Sequence, residues 1–226
     1  MKIHTVLILA GGDGDRFYPL EQKVLFRFNG KTVLQHIVES VKDLTEQMVV
    51  VTSADNESAI KSDLSAYKVQ YVVQTKDANG QADAVLAAKQ YLTKDALIMN
   101  GNDQYDFSII KRTISKTKEE GNDMGIIARY MESYFPGGYI RFQGEMVAEI
   151  VEKPIPEKRP SNYYNMSTHY FNNCLLFVQE LERHSSSDDL YERAFSALLK
   201  KKYATCFKYD GGYATLKYSW HILSMQ

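Results

Sequence analysis

The stretch Val6-Leu7-Ile8-Leu9-Ala10-Gly11-Gly12 decides the fold. Its four leading residues form a short, continuous apolar run stopped by two glycines. That suits a strand buried on both faces of a parallel sheet, because a half-exposed strand would alternate apolar with polar residues. Working outward, Val33, Ile37, Val41 and Leu44 recur at spacings of four, four and three, which marks one face of an amphipathic helix. A strand over Met48 to Val51 follows, then a helix near Glu57 to Tyr67, a strand over Val69 to Val73, a helix over about Ala82 to Leu92, and a strand over Ala96 to Met99. Strand and helix thus trade places through this half. The alternation predicts an α/β fold with right-handed crossovers and helices on both sheet faces. Ligands bind such sheets beyond the carboxyl ends of the strands, so the loops after Leu9, Val73 and Met99 are the candidate binding loops.

The second half reads differently. Tyr139 to Phe142 and Val147 to Val151 flank Gln143-Gly144-Glu145, a hairpin signal. Helices near Leu175 to Leu181 and Leu190 to Lys201, a strand over Thr205 to Tyr209 and a closing segment through Trp220 complete the chain; His169 falls in another strand. Antiparallel pieces are being added here, as a lid or an acceptor-binding subregion. Composition narrows the function classes. The 226 residues carry 27 Lys+Arg against 28 Asp+Glu, a net charge of -1, so no global field favours nucleic acid or an anionic membrane as partner. No apolar stretch approaches the roughly 20 residues that span a bilayer, and the N-terminus lacks a signal-peptide core, so a cytoplasmic protein is expected. Cys174 and Cys206 make no CxxC pair and read as reduced core thiols. The other histidines, His36 and His221 among them, show no metal-ligand spacing.

The loop that ends the first strand reads LILAGGDGDRFYPL over residues 7 to 20, with Lys23 three residues further and GKTVL at 30 to 34. Glycine loses the most conformational freedom on ordering, so three glycines in four residues imply a sharp bend or a close approach to a ligand. Backbone N–H groups exposed by such a loop make a concave anion site. Arg16 would add a forked cation and Lys23 a point cation, a pairing suited to a polyphosphate. Taken alone, the same residues are equally a tight turn with two solvated cations. The spacing is not GxxxxGK[ST], and Arg16 stands where the dinucleotide fingerprint places its third glycine, so neither of those phosphate motifs applies.

The loop resembles the signature LAGGxGxRxxPL…K…GK of nucleotidylyltransferases that join a nucleoside triphosphate to a sugar 1-phosphate. Further matches follow in order: Gln74 with GQADAVLAA (80 to 88), NGND (100 to 103), GGYI (137 to 140), VEKP (151 to 154), SNYYN (161 to 165) and KYSWHIL (217 to 223). The resemblance implies a GT-A-like nucleotidyltransferase fold, a three-layer, Rossmann-like, mixed but mainly parallel α/β sheet with an antiparallel acceptor-binding subregion. It implies a single domain over 1–226, with 1–106 mainly binding nucleotide and 107–226 mainly binding sugar phosphate. The implied nucleotide contacts are Leu9, Ala10, Gly11, Gly12, Gln74, Gly80, Gln81 and Asn102, with Gln74 and Gly80 at the base. Arg16 and Lys23 would neutralise phosphates, and Lys153 would grip the phosphate of the sugar, whose hydroxyls would meet Glu152 and Asn165 beside Gly138. On a strand Glu152 and Lys153 point to opposite faces, so if both touch ligand the backbone before Pro154 must twist or bulge.

Magnesium is the cofactor the resemblance implies, and here the sequence departs from the family pattern. Asn102 aligns with the usual acidic ligand and Thr215 with the second, leaving Asp103, one residue on, as the carboxylate and Asn102 as a carbonyl donor or a bystander. Lys217 could partly replace the charge of a cation that the missing ligand would hold, or be a solvated lysine. Gln81 stands for the usual Thr of the second motif, and Met166-Ser167 for the small Ala-Gly pair that follows Asn165. The expected partners are a nucleoside triphosphate, UTP or dTTP, and a sugar 1-phosphate. A homo-oligomer is the implied assembly, although no apolar stripe announces an interface. Two rival readings remain: a cytidylyltransferase acting on a phosphorylated alcohol such as phosphocholine, and a catalytically silent sugar-nucleotide sensor.

Overall fold

The computed structural model of the chain describes residues 2–12, 17–20, 22–75, 80–184 and 189–225. Strand β1 (Ile3–Leu9) opens it, and a short hairpin, β2 (Arg27–Phe28) and β3 (Lys31–Thr32), leads into helix α1 (Val33–Val41). Then come β4 (Thr45–Thr52), α2 (Glu57–Asp63), β5 (Gln70–Val73), α3 (Gln81–Ala87), β6 (Ala96–Asn100), β7 (Asp103–Tyr105) and α4 (Ser108–Glu119). The second half runs β8 (Met124–Tyr130), β9 (Gly138–Gln143), β10 (Met146–Glu152), β11 (Tyr163–Phe171), α5 (Cys174–Arg183), α6 (Leu190–Leu199), β12 (Ala204–Tyr209) and β13 (Tyr213–Thr215). Two compact units result. The first comprises Met1–Tyr91, Met99–Phe107 and Gly211–Gln226, the second Leu92–Ile98 and Ser108–Asp210. None of the described helices is long and apolar enough to cross a membrane.

In the first unit β1, β4 and β5 pair in parallel, with Leu9 opposite Val51 and Val51 opposite Val72. Val6, Leu7 and Ile8 are fully buried, as are Val49, Val50 and Val51, the two-sided burial expected of the opening apolar run. Helix α1 starts where the sequence provides a capping box. The Thr32 hydroxyl oxygen accepts from Gln35 N–H at 3.0 Å, and the Gln35 amide oxygen accepts from Thr32 N–H at 3.0 Å. The helix then buries Val33, Leu34, Ile37, Val38 and Val41. The expected helices over 57–67 and 82–92 are shorter in the structure. Their last turns tighten to i→i+3 bonds, Tyr67 N–H to Leu64 O at 2.9 Å and Tyr91 N–H to Ala88 O at 3.0 Å.

In the second unit β11 is the shared strand, antiparallel to β8, to β6 residues 96–98, and at Tyr164 to β9. The hairpin of β9 and β10 closes through Gly144-Glu145 alone, with Gly144 at φ 62, and Met146 paired to Gln143, so both strands run further than their apolar residues indicate. Strand β12 joins β8 in parallel. Stacked and edge-on rings of Phe171, Phe177, Tyr191 and Phe195 fill the space between β11 and helices α5 and α6. The first unit thus carries parallel strands and the second mixed strands, each with its helices, as the α/β fold expected from the sequence requires. Of the two thiols only Cys174 is a core residue; Cys206, on β12, is half-buried.

Candidate functional site

Beyond Leu9 the chain stays pinned to the sheet for one more residue: Ala10 N–H donates to Val51 O at 2.8 Å and Ala10 O accepts from Asn56 Nδ2 at 2.9 Å. Leu9 O in turn accepts from Gly101 N–H at 2.8 Å. At Gly11 a Cβ would stand 3.0 Å from Gln74 Oε1 and 3.1 Å from the Thr52 carbonyl carbon, so any side chain there would push backbone aside. At Gly12 a Cβ would stand 3.2 Å from Lys23 Nζ. The two glycines thus let Gln74, fixed at the end of β5 by its N–H bond to Thr52 O (2.8 Å), and the Lys23 ammonium close onto one turn. Gly80, at φ 106, precedes α3, and Gln81 opens it. Arg16, the other expected cation, lies outside the described residues.

The loop after β6 carries the second cluster of the first unit. Gln81 Nε2 donates to Asn100 Oδ1 at 2.8 Å, and Asn100 Nδ2 donates to Asp103 Oδ2 at 3.2 Å. Asp103 is 2% exposed, and its Oδ1 is buried with no hydrogen-bond partner. Burial pushes the Asp103 carboxyl up, while Thr215, Lys217, the Asn100 amide and Lys23 pull it down. Thr215 faces it across the β7–β13 pair. Asn102 points elsewhere, donating Nδ2 to Leu216 O at 3.1 Å and to Thr215 Oγ1 at 3.4 Å, so it ties β7 to the closing segment. Among the described residues no three acidic, His or Cys side chains gather into a metal cluster. The donor set is therefore one carboxylate with an unused oxygen. That fits magnesium, which keeps several waters and takes one or two carboxylates alongside substrate phosphates.

The second unit brings Gly138, Glu152 and Asn165 together. A Cβ on Gly138 would stand 2.9 Å from Ile150 Cγ2, 3.2 Å from Glu152 Oε2 and 3.6 Å from Asn165 Cβ. The strand alternation ends at Lys153, whose backbone enters the left-handed region at φ 40 while its N–H donates to Gly137 O at 3.1 Å. The turn leaves Lys153 Nζ 3.4 Å from Glu152 Oε1, so both charged groups lie together. Asn165 is 2% exposed, and its Oδ1 meets Ser167 N–H at 3.2 Å and His169 Nε2 at 2.8 Å. Glu192, at the start of α6, is raised to about 7 by burial first and by the charge of Glu152 next. Asn100, Tyr191 and Glu192 were not singled out from sequence. Asn100 alone carried a signal, as the first residue of NGND at a strand's carboxyl end.

A family model for nucleotidyl transferase matches residues 5–215. The bifunctional protein GlmU of Methanococcus maripaludis strain C7 is 24% identical over 223 residues, covering 96% of this chain and 52% of that protein. The chain thus spans about half the length of this curated relative. Among solved structures, one from Bacillus anthracis assigned as a glucose-1-phosphate thymidylyltransferase, in complex with a sucrose, superposes with a TM-score of 0.84 at 18% identity, covering 98% of this chain and 93% of that one. UDP-glucose pyrophosphorylase complexed with UDP-glucose gives 0.82 at 19% identity, covering 98% and 97%.

Proposed function

Because the chain belongs to the nucleotidyl transferase family, we propose that it transfers a nucleotidyl group from UTP or dTTP to a sugar 1-phosphate, releasing pyrophosphate and forming a nucleoside diphosphate sugar. The observation that carries this reading is the closure of Lys23 Nζ and Gln74 Oε1 onto Gly11 and Gly12, where no Cβ could be accommodated without displacement. In it, loop amides and an ammonium hold phosphates, and an amide that both donates and accepts suits the edge of uracil or thymine. Gly138, Glu152 and Asn165 form the acceptor half, with Lys153 for the sugar's phosphate. The UDP-glucose pyrophosphorylase and thymidylyltransferase structures share the fold, and the UDP-glucose bound in the former supports a nucleotide sugar as product.

The reaction is in-line attack by a sugar phosphate oxygen on the α-phosphorus, with pyrophosphate as leaving group and no covalent intermediate on the protein. Negative charge grows on the leaving pyrophosphate, so Lys23 and the loop amides stabilise the transition state more than the ground state. Asp103 is the residue that would hold magnesium, through its unpartnered Oδ1. The bound ion would add cationic charge at the phosphates. A panel of five nucleoside triphosphates against sugar 1-phosphates and phosphocholine, read by pyrophosphate release and product mass, tests the reading. Turnover with UTP or dTTP and a sugar 1-phosphate is expected. Turnover confined to CTP with phosphocholine, or tight binding of nucleotide sugar with no pyrophosphate released from any pair, overturns it.

A further inference from the structure

Strand β11 does not run straight past β8. Asn165 stands opposite Ala128 and His169 opposite Ile126, so four steps on β11 span two on β8 and the excess forms a bulge that re-aims Asn165. Within it Asn165 Oδ1 receives two bonds, from Ser167 N–H at 3.2 Å and from His169 Nε2 at 2.8 Å. A backbone N–H can only donate, so the atom it meets is the amide oxygen, which fixes how the Asn165 amide is turned. His169 Nε2 shares that oxygen and must therefore carry a hydrogen. In a neutral imidazole Nδ1 is then an acceptor, and the Tyr191 hydroxyl donates to it at 2.7 Å. The ring is fully buried, 4.6 Å from Phe195 and stacked on Tyr191 at 5.5 Å, and burial lowers its pKa to about 3, so it stays neutral.

The consequence falls on the other end of the Asn165 amide. Its oxygen is fully used, while no described residue accepts from Nδ2, and Gly138 lets Asn165 and the Glu152 carboxylate approach the same stretch of backbone, a Cβ there standing 3.6 Å from Asn165 Cβ and 3.2 Å from Glu152 Oε2. We propose that His169, oriented by Tyr191, is a positioning residue for the acceptor: it locks the Asn165 amide so that Nδ2 donates to a hydroxyl oxygen of the sugar phosphate. This rests on the reading of Asn165 as an acceptor contact given above. With Glu152 able only to accept and Asn165 Nδ2 only to donate, the pair suits neighbouring hydroxyls on one sugar, one donating and one accepting.

Steady-state kinetics of wild type, His169→Phe and His169→Gln, varying nucleoside triphosphate and sugar 1-phosphate in turn, test the proposal. A Gln amide nitrogen can occupy the place of imidazole Nε2 and still donate to Asn165. The expected result is that His169→Phe raises KM for the sugar 1-phosphate about ten-fold with KM for the triphosphate within about two-fold, and that His169→Gln recovers most of the loss. An unchanged acceptor KM in His169→Phe, or both constants rising together, overturns the proposal while wild-type turnover leaves the functional reading standing. Wild type that turns over no pair overturns that reading and the proposal with it. Should His169→Phe not fold, long-range proton–nitrogen spectra of wild type decide instead: hydrogen on Nε2 with a bare Nδ1 is expected, and the reverse tautomer or a doubly protonated ring at neutral pH overturns it.

Discussion

Ser167 holds a φ of 51, in the left-handed region where a side chain crowds its own backbone. The strain follows from the bulge that turns Asn165. Ser167→Gly is expected to leave stability unchanged or raise it by about 0.5 kcal/mol, whereas Ser167→Val should cost about 2 kcal/mol, because a branched Cβ fits that region worst. Urea midpoints of the two variants check the order, and a valine variant as stable as wild type refutes it. His169 makes a second claim at this scale. Burial lowers its pKa from 6.5 to about 3, so the folded value lies below the unfolded one and protons favour the unfolded chain. The stability is present in full above the unfolded value and is lost as pH falls toward the folded one, at roughly 1.4 kcal/mol per pH unit. Unfolding free energy measured between about pH 6 and pH 4 should fall less steeply in His169→Gln by about that slope. Identical slopes would mean that the ring is protonated in the native protein.

Helix α1 shows how much of an element a sequence can declare. Its apolar face stands in the spacing of Val33, Ile37 and Val41, and the structure adds a Thr32–Gln35 capping box, with the Thr32 hydroxyl also donating to Asp63 Oδ2 at 2.7 Å. Thr32→Ala loses the cap and strips a partner from Asp63. A destabilisation of about 1–2 kcal/mol is expected, read from the denaturation midpoint, with Thr32→Ser recovering most of it. Helix α4 is the opposite case. Its buried face is Ile109, Ile110, Thr113, Ile114 and Thr117, and the two threonines break the apolar period. They are tolerated because Thr113 Oγ1 donates to Ile109 O and Thr117 Oγ1 to Thr113 O, both at 2.8 Å. Beneath Thr117, a Cβ on Gly125 of β8 would stand 2.5 Å from its hydroxyl oxygen, so the glycine of that strand makes room for the helix's threonine.

At the scale of the whole chain, the motifs appear in sequence order and the structure gathers them into clusters, Gly11, Gly12, Lys23 and Gln74 and then Gln81, Asn100 and Asp103 in the first unit, and Gly138, Glu152, Lys153 and Asn165 in the second. What stayed illegible are the residues that hold those groups from a distance in sequence. Tyr191 lies 22 residues from His169, and Gln81 lies 19 from Asn100, so no local spacing connects them. The proposed single-carboxylate magnesium site is legible in the sequence only as a departure, with Asn102 and Thr215 standing where the resemblance implies acids. Its assignment to Asp103 predicts that Asp103→Ala raises the magnesium concentration for half-maximal turnover about ten-fold or more, a titration that an unchanged response would contradict. The central claim is that the turn between β1 and Lys23 holds a triphosphate. A crystal structure with bound UTP or dTTP tests it most directly. Phosphates against the amides of Gly11 and Gly12, with Lys23 Nζ in hydrogen-bond reach and the base beside Gln74, is the predicted result. A nucleotide lodged elsewhere, with Lys23 turned away from its phosphates, would contradict it.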